Sequence, residues 1–159
     1  MKILIATDGS HFSEVAIEKC ADILEMAEGT EIKILSVYER LRPMSGEPFG
    51  VSNEYYVQAE NASRKVADDA VEQASATFRR RFPDVNIGVS TCVEPGRPAR
   101  IIVETANEWE ADLIVVGSHG HGFWARNLLG SVSDSVLHHA PCSVLIVRTP
   151  RVEEGEIKS

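Results

Sequence analysis

The sequence predicts an α/β fold, in which a single doubly wound domain is built on a five-stranded parallel sheet. Short runs of β-branched and other apolar residues alternate five times with segments of helical periodicity. Several of these runs are apolar on both faces, which is typical of parallel strands that helices cover on both sides. At 159 residues the chain has the length of one domain with one core. We expect the domain to span residues 1–149 and residues 150–159 to form a flexible C-terminal tail.

The first strand is predicted at residues 2–7. Ile3, Leu4 and Ile5 form an apolar run, and Asp8 follows the strand at its carboxyl end, where open α/β sheets bind their ligands. A carboxylate at this position can hold Mg²⁺ or Mn²⁺, or accept a hydrogen bond from a ligand. Alternatively, Asp8 and Ser10 only cap the helix that follows.

The next elements are predicted from their periodicity. Apolar residues at three- and four-residue spacing indicate a helix at 13–27, with Gly29 as its C-cap. The second strand is predicted at 31–38, and a loop at 40–53 is longer than a typical connection. A second helix at 54–82 carries an apolar stripe of Ala59, Ala62, Val66, Ala70, Ala74 and Phe78.

The C-terminal half of the chain completes the alternation. Residues 85–93 alternate in the manner of an edge strand, and Pro98 is well placed at the start of a third helix. A strand at 113–116, a helix from Val132 and a strand at 143–147 follow. In the doubly wound strand order 3-2-1-4-5, the fifth strand lies at an edge of the sheet. Because this edge is apolar, we expect a homodimer paired through Ser143–Val147 rather than a monomer whose tail covers the edge.

A glycine-rich loop joins the fourth strand to the fourth helix. Gly117 ends the strand, Gly120 follows after two residues, and Gly130-Ser131 follows after nine more. Glycine lets the backbone approach a phosphate closely and adopt positive φ, and the N–H groups and dipole of a helix start favour an anion. The hydroxyls of Ser131 and Ser133 can cap the helix or donate to a phosphate. The loop therefore predicts a phosphate-binding site.

The spacing separates this loop from two common nucleotide-binding motifs. It is not a Walker A loop, because Phe123 stands where that motif needs lysine. It is not a Rossmann fingerprint, because the spacing differs and the loop does not follow the first strand. The pattern Gly-x2-Gly-x9-Gly-Ser instead resembles the nucleotide-binding motif of the universal stress protein family, in its ATP-binding branch. The resemblance extends from Met1 to about Val147 and includes the turn at Asp8.

The resemblance implies a Rossmann-like fold, similar to that of the adenine nucleotide alpha hydrolases, and an ATP-binding regulatory or stress-response module. It also implies ATP as the ligand and dimers that form through the fifth strand, and we expect Mg²⁺ or Mn²⁺ to accompany the ATP because of the carboxylate at Asp8 and the acidic net charge. At His119 the implied contact is through the backbone, with the imidazole free to orient. The implied site has Ala6, Thr7, Asp8 and Val37 around adenosine, Val116, Gly117, His119 and Gly120 beside the ribose and α-phosphate, and Gly130, Ser131, Val132 and Ser133 at the phosphates.

The catalytic residues of a fast phosphotransferase are missing from this loop. It has no lysine, and Arg126 is the one cation in it that can lie over a β- or γ-phosphate. We therefore expect nucleotide binding with slow or no turnover. Three alternatives stay open: a slow ATPase or autokinase with Ser131 or Ser133 as acceptor, a binder of another adenine nucleotide such as cyclic AMP, and an interaction module that binds no nucleotide.

Composition and charge narrow the function further. The net charge of −8 argues against nucleic-acid binding, and it makes an anion site depend on local backbone donors and a divalent cation. No apolar run approaches the ~20 residues of a membrane span, and the N-terminal run is too short for a signal peptide. We therefore expect a cytoplasmic protein without a membrane partner. The three cysteines share no close spacing, so neither a zinc site nor a redox pair is predicted.

Overall fold

The computed structural model describes residues 1–24, 27–40, 53–119 and 129–148. The predicted tail at 150–159 and nearly all of the predicted loop at 40–53 lie outside these ranges. Among the helices within them, none combines the length and the apolar character of a membrane span. Strands and helices alternate as β1 Lys2–Ala6, α1 His11–Ile23, β2 Glu31–Tyr38, α2 Asn53–Arg81, β3 Gly88–Pro95, α3 Pro98–Glu108, β4 Leu113–Gly117, α4 Ser131–His139 and β5 Ser143–Val147.

The five strands form one parallel sheet in the order β3-β2-β1-β4-β5. The predicted fold class, strand count and strand order are thereby confirmed. The chain order reverses between β1 and β4, where Ile5 pairs with Val115. At such a switch point the connections after the two neighbouring strands run to opposite faces of the sheet, which leaves a crevice at their carboxyl ends.

Two hydrophobic cores lie on the two faces of the sheet. On one face α1 and α2 pack on the strands, with Cys20 and Phe78 fully buried. On the other face α3 and α4 pack on the strands, with Ala106 and Val136 fully buried. Because α1 and α4 pack on opposite faces but follow neighbouring strands, their N-termini come together at the carboxyl edge of the sheet.

Helix α1 begins two residues earlier than predicted and ends about one turn earlier. It ends at Ile23, and Leu24 adopts an extended conformation while its N–H still donates to the carbonyl of Cys20. The side chain of Ile23 is 61% exposed, so burial does not stabilise a further turn. Gly29 is therefore not the C-cap; it has a φ of 78° in the turn that leads into β2.

The buried face of α2 differs from the predicted stripe. Val66 is 57% exposed, whereas the neighbouring Ala67 is buried. Residues spaced strictly by four advance about 400° per step, so such a stripe rotates about 40° per turn around an α-helix. A constant buried face requires mixed steps of three and four. The buried residues are Ala67, Ala70, Val71, Ala74, Ser75 and Phe78.

Candidate functional site

The turn between β1 and α1 is held by its own polar side chains. Gly9 has a φ of 72°, a conformation that favours glycine. Ser10 is the N-cap of α1 and accepts from the N–H of Ser13 at 3.3 Å. The Oδ1 atom of Asp8 accepts from the N–H of Ser10 at 3.0 Å and from its hydroxyl at 2.6 Å. Ser10 therefore caps α1, as the alternative interpretation expected, and Asp8 holds the capping residue in place.

The end of β4 and the start of α4 meet at Ser118. Its N–H donates to the carbonyl of Val147 at 2.8 Å, and its own carbonyl accepts from the N–H of Gly130 at 2.8 Å. A Cβ atom added to Gly117 would lie 3.2 Å from the carbonyl oxygen of His119 and 3.4 Å from that of Phe12. Ser118 and Gly130, on the two sides of the glycine loop, are therefore joined to each other at the edge of the sheet.

Gly130 is the N-cap of α4 and has a φ of −60° and a ψ of 151°. The expectation of positive φ is therefore wrong for Gly130, because any residue can adopt this extended conformation. The requirement for glycine is one of space, since an added Cβ would lie 3.2 Å from the carbonyl oxygen of Ser118. Within the described residues no side chain caps α4. The N–H groups of Ser131, Val132 and Ser133 have no acceptor within the helix.

The two serines of this turn are oriented differently. Ser131 is exposed, whereas Ser133 is 2% exposed. The hydroxyl of Ser133 lies 2.9 Å from the carbonyl oxygen of Gly130 and 3.2 Å from that of Ser118, and it donates to these atoms. The hydroxyl of Ser133 is thus directed into the protein, while its N–H remains at the helix start.

The imidazole of His119 is not free to orient, contrary to the expectation from the sequence. Its Nδ1 lies 3.0 Å from the hydroxyl oxygen of Ser118. Its ring centroid lies 5.9 Å from that of Phe12, in the first turn of α1. The ring therefore links the end of β4 to the start of α1. Ser118 was missed in the sequence because it acts largely through backbone atoms, which no residue pattern reports.

The remaining predicted site residues lie along the same edge. Thr7 is buried, and its hydroxyl donates to the hydroxyl of Ser13 at 3.0 Å. Ala6 and Val37 are partly buried against the core that packs on α3 and α4, and Val116 belongs to that core. Val132 is partly buried in the same core. Gly120, His121 and Arg126 lie outside the described residues.

The other ionisable side chains of the described residues give no sign of a second site. Within the described ranges, no group of three or more His, Cys, Asp or Glu side chains is arranged to hold a metal ion. Burial raises the pKa of the Cys20 thiol to about 12, and burial also raises the pKa of Cys92 and Cys142, so none of the three is an activated thiolate. His138 and His139 each place Nδ1 2.8 Å from a backbone carbonyl one turn earlier.

Comparisons with known proteins bear on the family and the fold of this chain. The model of the universal stress protein family matches residues 1–148. A universal stress protein of Methanocaldococcus jannaschii is 30% identical and is aligned over 96% of this chain and 84% of its own. A universal stress protein of Lactobacillus plantarum has the same fold, with a TM-score of 0.74 at 24% identity over 93% of this chain and 97% of its own.

A further solved structure is a universal stress protein in complex with cyclic AMP. It superposes with a TM-score of 0.58 at 28% identity, over 94% of this chain and 98% of its own. The family model and the relatives match this chain over nearly its full length, so this chain belongs to the universal stress protein family.

Proposed function

We propose that this protein binds an adenine nucleotide, with ATP as the preferred ligand, in the crevice between β1 and β4. The observation that carries the proposal is the start of α4, where three N–H groups without helical acceptors follow Gly130 at the switch point of the sheet. Such a helix start attracts phosphate through its N–H groups and its dipole. The relative that was solved with cyclic AMP supports the same ligand class.

The proposed contacts fall into three parts of the crevice. Adenosine lies against the carboxyl ends of β1 and β2, and the ribose and α-phosphate lie beside the end of β4. The remaining phosphates bind the first turn of α4. The residues assigned to these three parts are Ala6, Thr7, Asp8 and Val37, then Val116, Gly117, His119 and Gly120, then Gly130, Ser131, Val132 and Ser133.

We also propose that the nucleotide binds together with a divalent cation. The chain has a net charge of −8, and Asp134 lies in the first turn of α4, so the long-range field opposes a polyanion. Bound Mg²⁺ or Mn²⁺ would neutralise part of the phosphate charge, and Asp8 is the carboxylate at the crevice suited to approach it. Nucleotide affinity should therefore depend on the divalent cation.

The test is an equilibrium titration of the purified protein with ATP, AMP and cyclic AMP, each with and without Mg²⁺. We expect ATP to bind most tightly and to lose affinity when Mg²⁺ is removed. Native mass spectrometry of the protein as purified would show a bound nucleotide directly. Absence of binding at millimolar ATP would refute the proposed function.

A second candidate activity is slow transfer of phosphate to the protein itself. Ser131 favours it, because its hydroxyl is exposed in the first turn of α4, whereas Ser133 is buried. Incubation with γ-labelled ATP should then label the wild type and leave Ser131→Ala unlabelled. Equal labelling of both would exclude Ser131 as the acceptor.

We also propose that the protein forms a homodimer through the edge strand β5. Ser143 is exposed, and the three residues after it are only partly buried within the described chain. Antiparallel pairing with a second copy would satisfy the outer backbone groups of this edge. Light scattering at micromolar concentration should give twice the chain mass. Ile146→Pro, which removes a backbone donor, should give a monomer; a folded variant that stays dimeric would refute this interface.

A further inference from the structure

The hydroxyl of Ser133 contacts the turn that precedes α4. It is within hydrogen-bond distance of two carbonyl oxygens, those of Gly130 and Ser118. A serine hydroxyl has one hydrogen, so these two acceptors share it. Gly130 and Ser118 are also joined directly through the N–H of Gly130 at 2.8 Å. The side chain of Ser133 therefore supports the contact that fixes the start of α4 against the end of β4.

A closely similar contact occurs at the start of α1. Ser13 is 3% exposed, and its hydroxyl donates to the carbonyl of Ser10 at 2.9 Å. Its oxygen also accepts from the hydroxyl of Thr7, at the end of β1. Ser13 and Ser133 each lie three residues after the N-cap of their helix. Since α1 has a side-chain cap of its own, the recurrence of this contact indicates a role in holding strand-to-helix turns.

Gly130 has little free space within the turn that the hydroxyl of Ser133 supports. An added Cβ at Gly130 would meet the carbonyl oxygen of Ser118 at 3.2 Å and the hydroxyl oxygen of Ser133 at 3.5 Å, so the turn is closely packed. The position of this turn sets the direction in which the N–H groups of the first turn of α4 point. Hydrogen bonds to a bound anion weaken steeply when donors are misaligned.

We propose that Ser133 is a positioning residue of the nucleotide site, whose hydroxyl holds Gly130 against Ser118 and does not contact the phosphates. This inference rests on the proposed nucleotide binding and refines it. The phosphates are bound by the N–H groups of the first turn and by the hydroxyl of Ser131. Ser133 contributes its N–H, while its hydroxyl keeps these donors aligned.

The test compares Ser133→Ala with Ser13→Ala, which removes the corresponding hydroxyl from α1. Each variant is titrated with ATP, ADP, AMP and adenosine in Mg²⁺, and amide exchange is measured by NMR without nucleotide. We expect Ser133→Ala to lower the affinities for ATP and ADP, whose β- and γ-phosphates are assigned to the first turn of α4, by a similar factor of about ten, because one hydrogen bond is lost from the turn. The affinities for AMP and adenosine should be unchanged, and Gly130 should exchange faster. Ser13→Ala should bind ATP within about threefold of wild type despite a similar loss of stability.

Ser133→Cys keeps a side chain of the same shape, slightly larger than serine, and supplies only a weak donor, so it replaces Ser133→Ala if that variant does not fold. Wild-type affinity for ATP in Ser133→Ala would overturn the proposal. So would a loss confined to ATP with unchanged exchange at Gly130, because that pattern identifies a direct contact with the terminal phosphate. A wild type that binds no nucleotide would remove the proposed function and this role with it, whereas the other outcomes leave nucleotide binding intact.

Discussion

Helices α1 and α4 begin at the same edge of the sheet, and their first turns differ mainly at the N-cap. Both follow the switch-point strands, and both carry a buried serine that bonds back to the N-cap carbonyl. In α1 the N-cap is Ser10, whose hydroxyl accepts from the N–H of Ser13. In α4 it is Gly130, and no side chain among the described residues caps the helix.

Under the proposed function, this difference would make only the start of α4 suited to an anion. A capping side chain satisfies one N–H and lies where a phosphate oxygen would lie. Glycine leaves that volume to a ligand at a cost of only a few tenths of a kcal/mol in cap stability. Helix α3 also lacks a side-chain cap, but it begins with Pro98, which has no N–H, and it follows the edge strand β3.

The largest expected effect comes from closing the open helix start with a charged cap. We predict that Gly130→Asp lowers the affinity for ATP by about 100-fold or more, because juxtaposed like charges cost several kcal/mol. Adenosine, which has no phosphate, should bind within about threefold of wild type. Gly130→Ala is the matched control for the added Cβ, which lies 3.2 Å from the carbonyl oxygen of Ser118. Equal losses of ATP and adenosine in calorimetric titrations would contradict the assigned phosphate position.

A smaller effect is expected from removing the charge of Asp8 while keeping its hydrogen bonds. Asp8→Asn retains an Oδ1 acceptor for the N–H and hydroxyl of Ser10, so the unfolding free energy should change by less than about 0.5 kcal/mol. We predict that ATP affinity in Mg²⁺ falls about tenfold and becomes less dependent on Mg²⁺. An equal loss with and without Mg²⁺ would instead indicate a contact with the ribose or base. Unchanged affinity would limit Asp8 to supporting the turn.

The smallest effect on binding is expected from removing the cap of α1. Ser10→Ala should lower the unfolding free energy by about 1 kcal/mol, the usual value for a lost N-cap. Urea denaturation measures this change, and ATP affinity should stay within about threefold of wild type. If Ser10→Ala lowered the affinity for ATP as much as Gly130→Asp does, the two helix starts would not differ in function.

The fold was predictable because its signals are local and repeated. Runs such as Ile3–Ile5 and Leu113–Val116 are apolar on both faces, which restricts them to buried parallel strands. The switch point follows from the doubly wound order, and the glycine spacing predicted the location of the open helix start. The end of α1 was less predictable, since it depends on how much of Ile23 the remaining structure buries.

Side-chain directions at the site were not predictable from residue types. A serine in the first turn of a helix can face a ligand or a backbone carbonyl. Ser133 faces inward because the carbonyl of Ser118, fifteen positions earlier, lies within reach. The orientation of His119 likewise depends on a ring in α1 and on the hydroxyl of Ser118. The contacts of Ser133 with Ser118 and of His119 with Phe12 join elements distant in sequence, and periodicity contains no information about them.

The hydrogen bond from Gly130 to Ser118 has a consequence for the length of the chain between them. Residues 119–129 are joined at their base by this bond of 2.8 Å, so the entropy of closing the segment depends on its length only logarithmically. Inserting two residues there would change the closure term by only about 0.1–0.2 kcal/mol. Loop closure alone therefore tolerates changes of length, and a requirement for nine residues between Gly120 and Gly130 would have to come from contacts made by the segment itself.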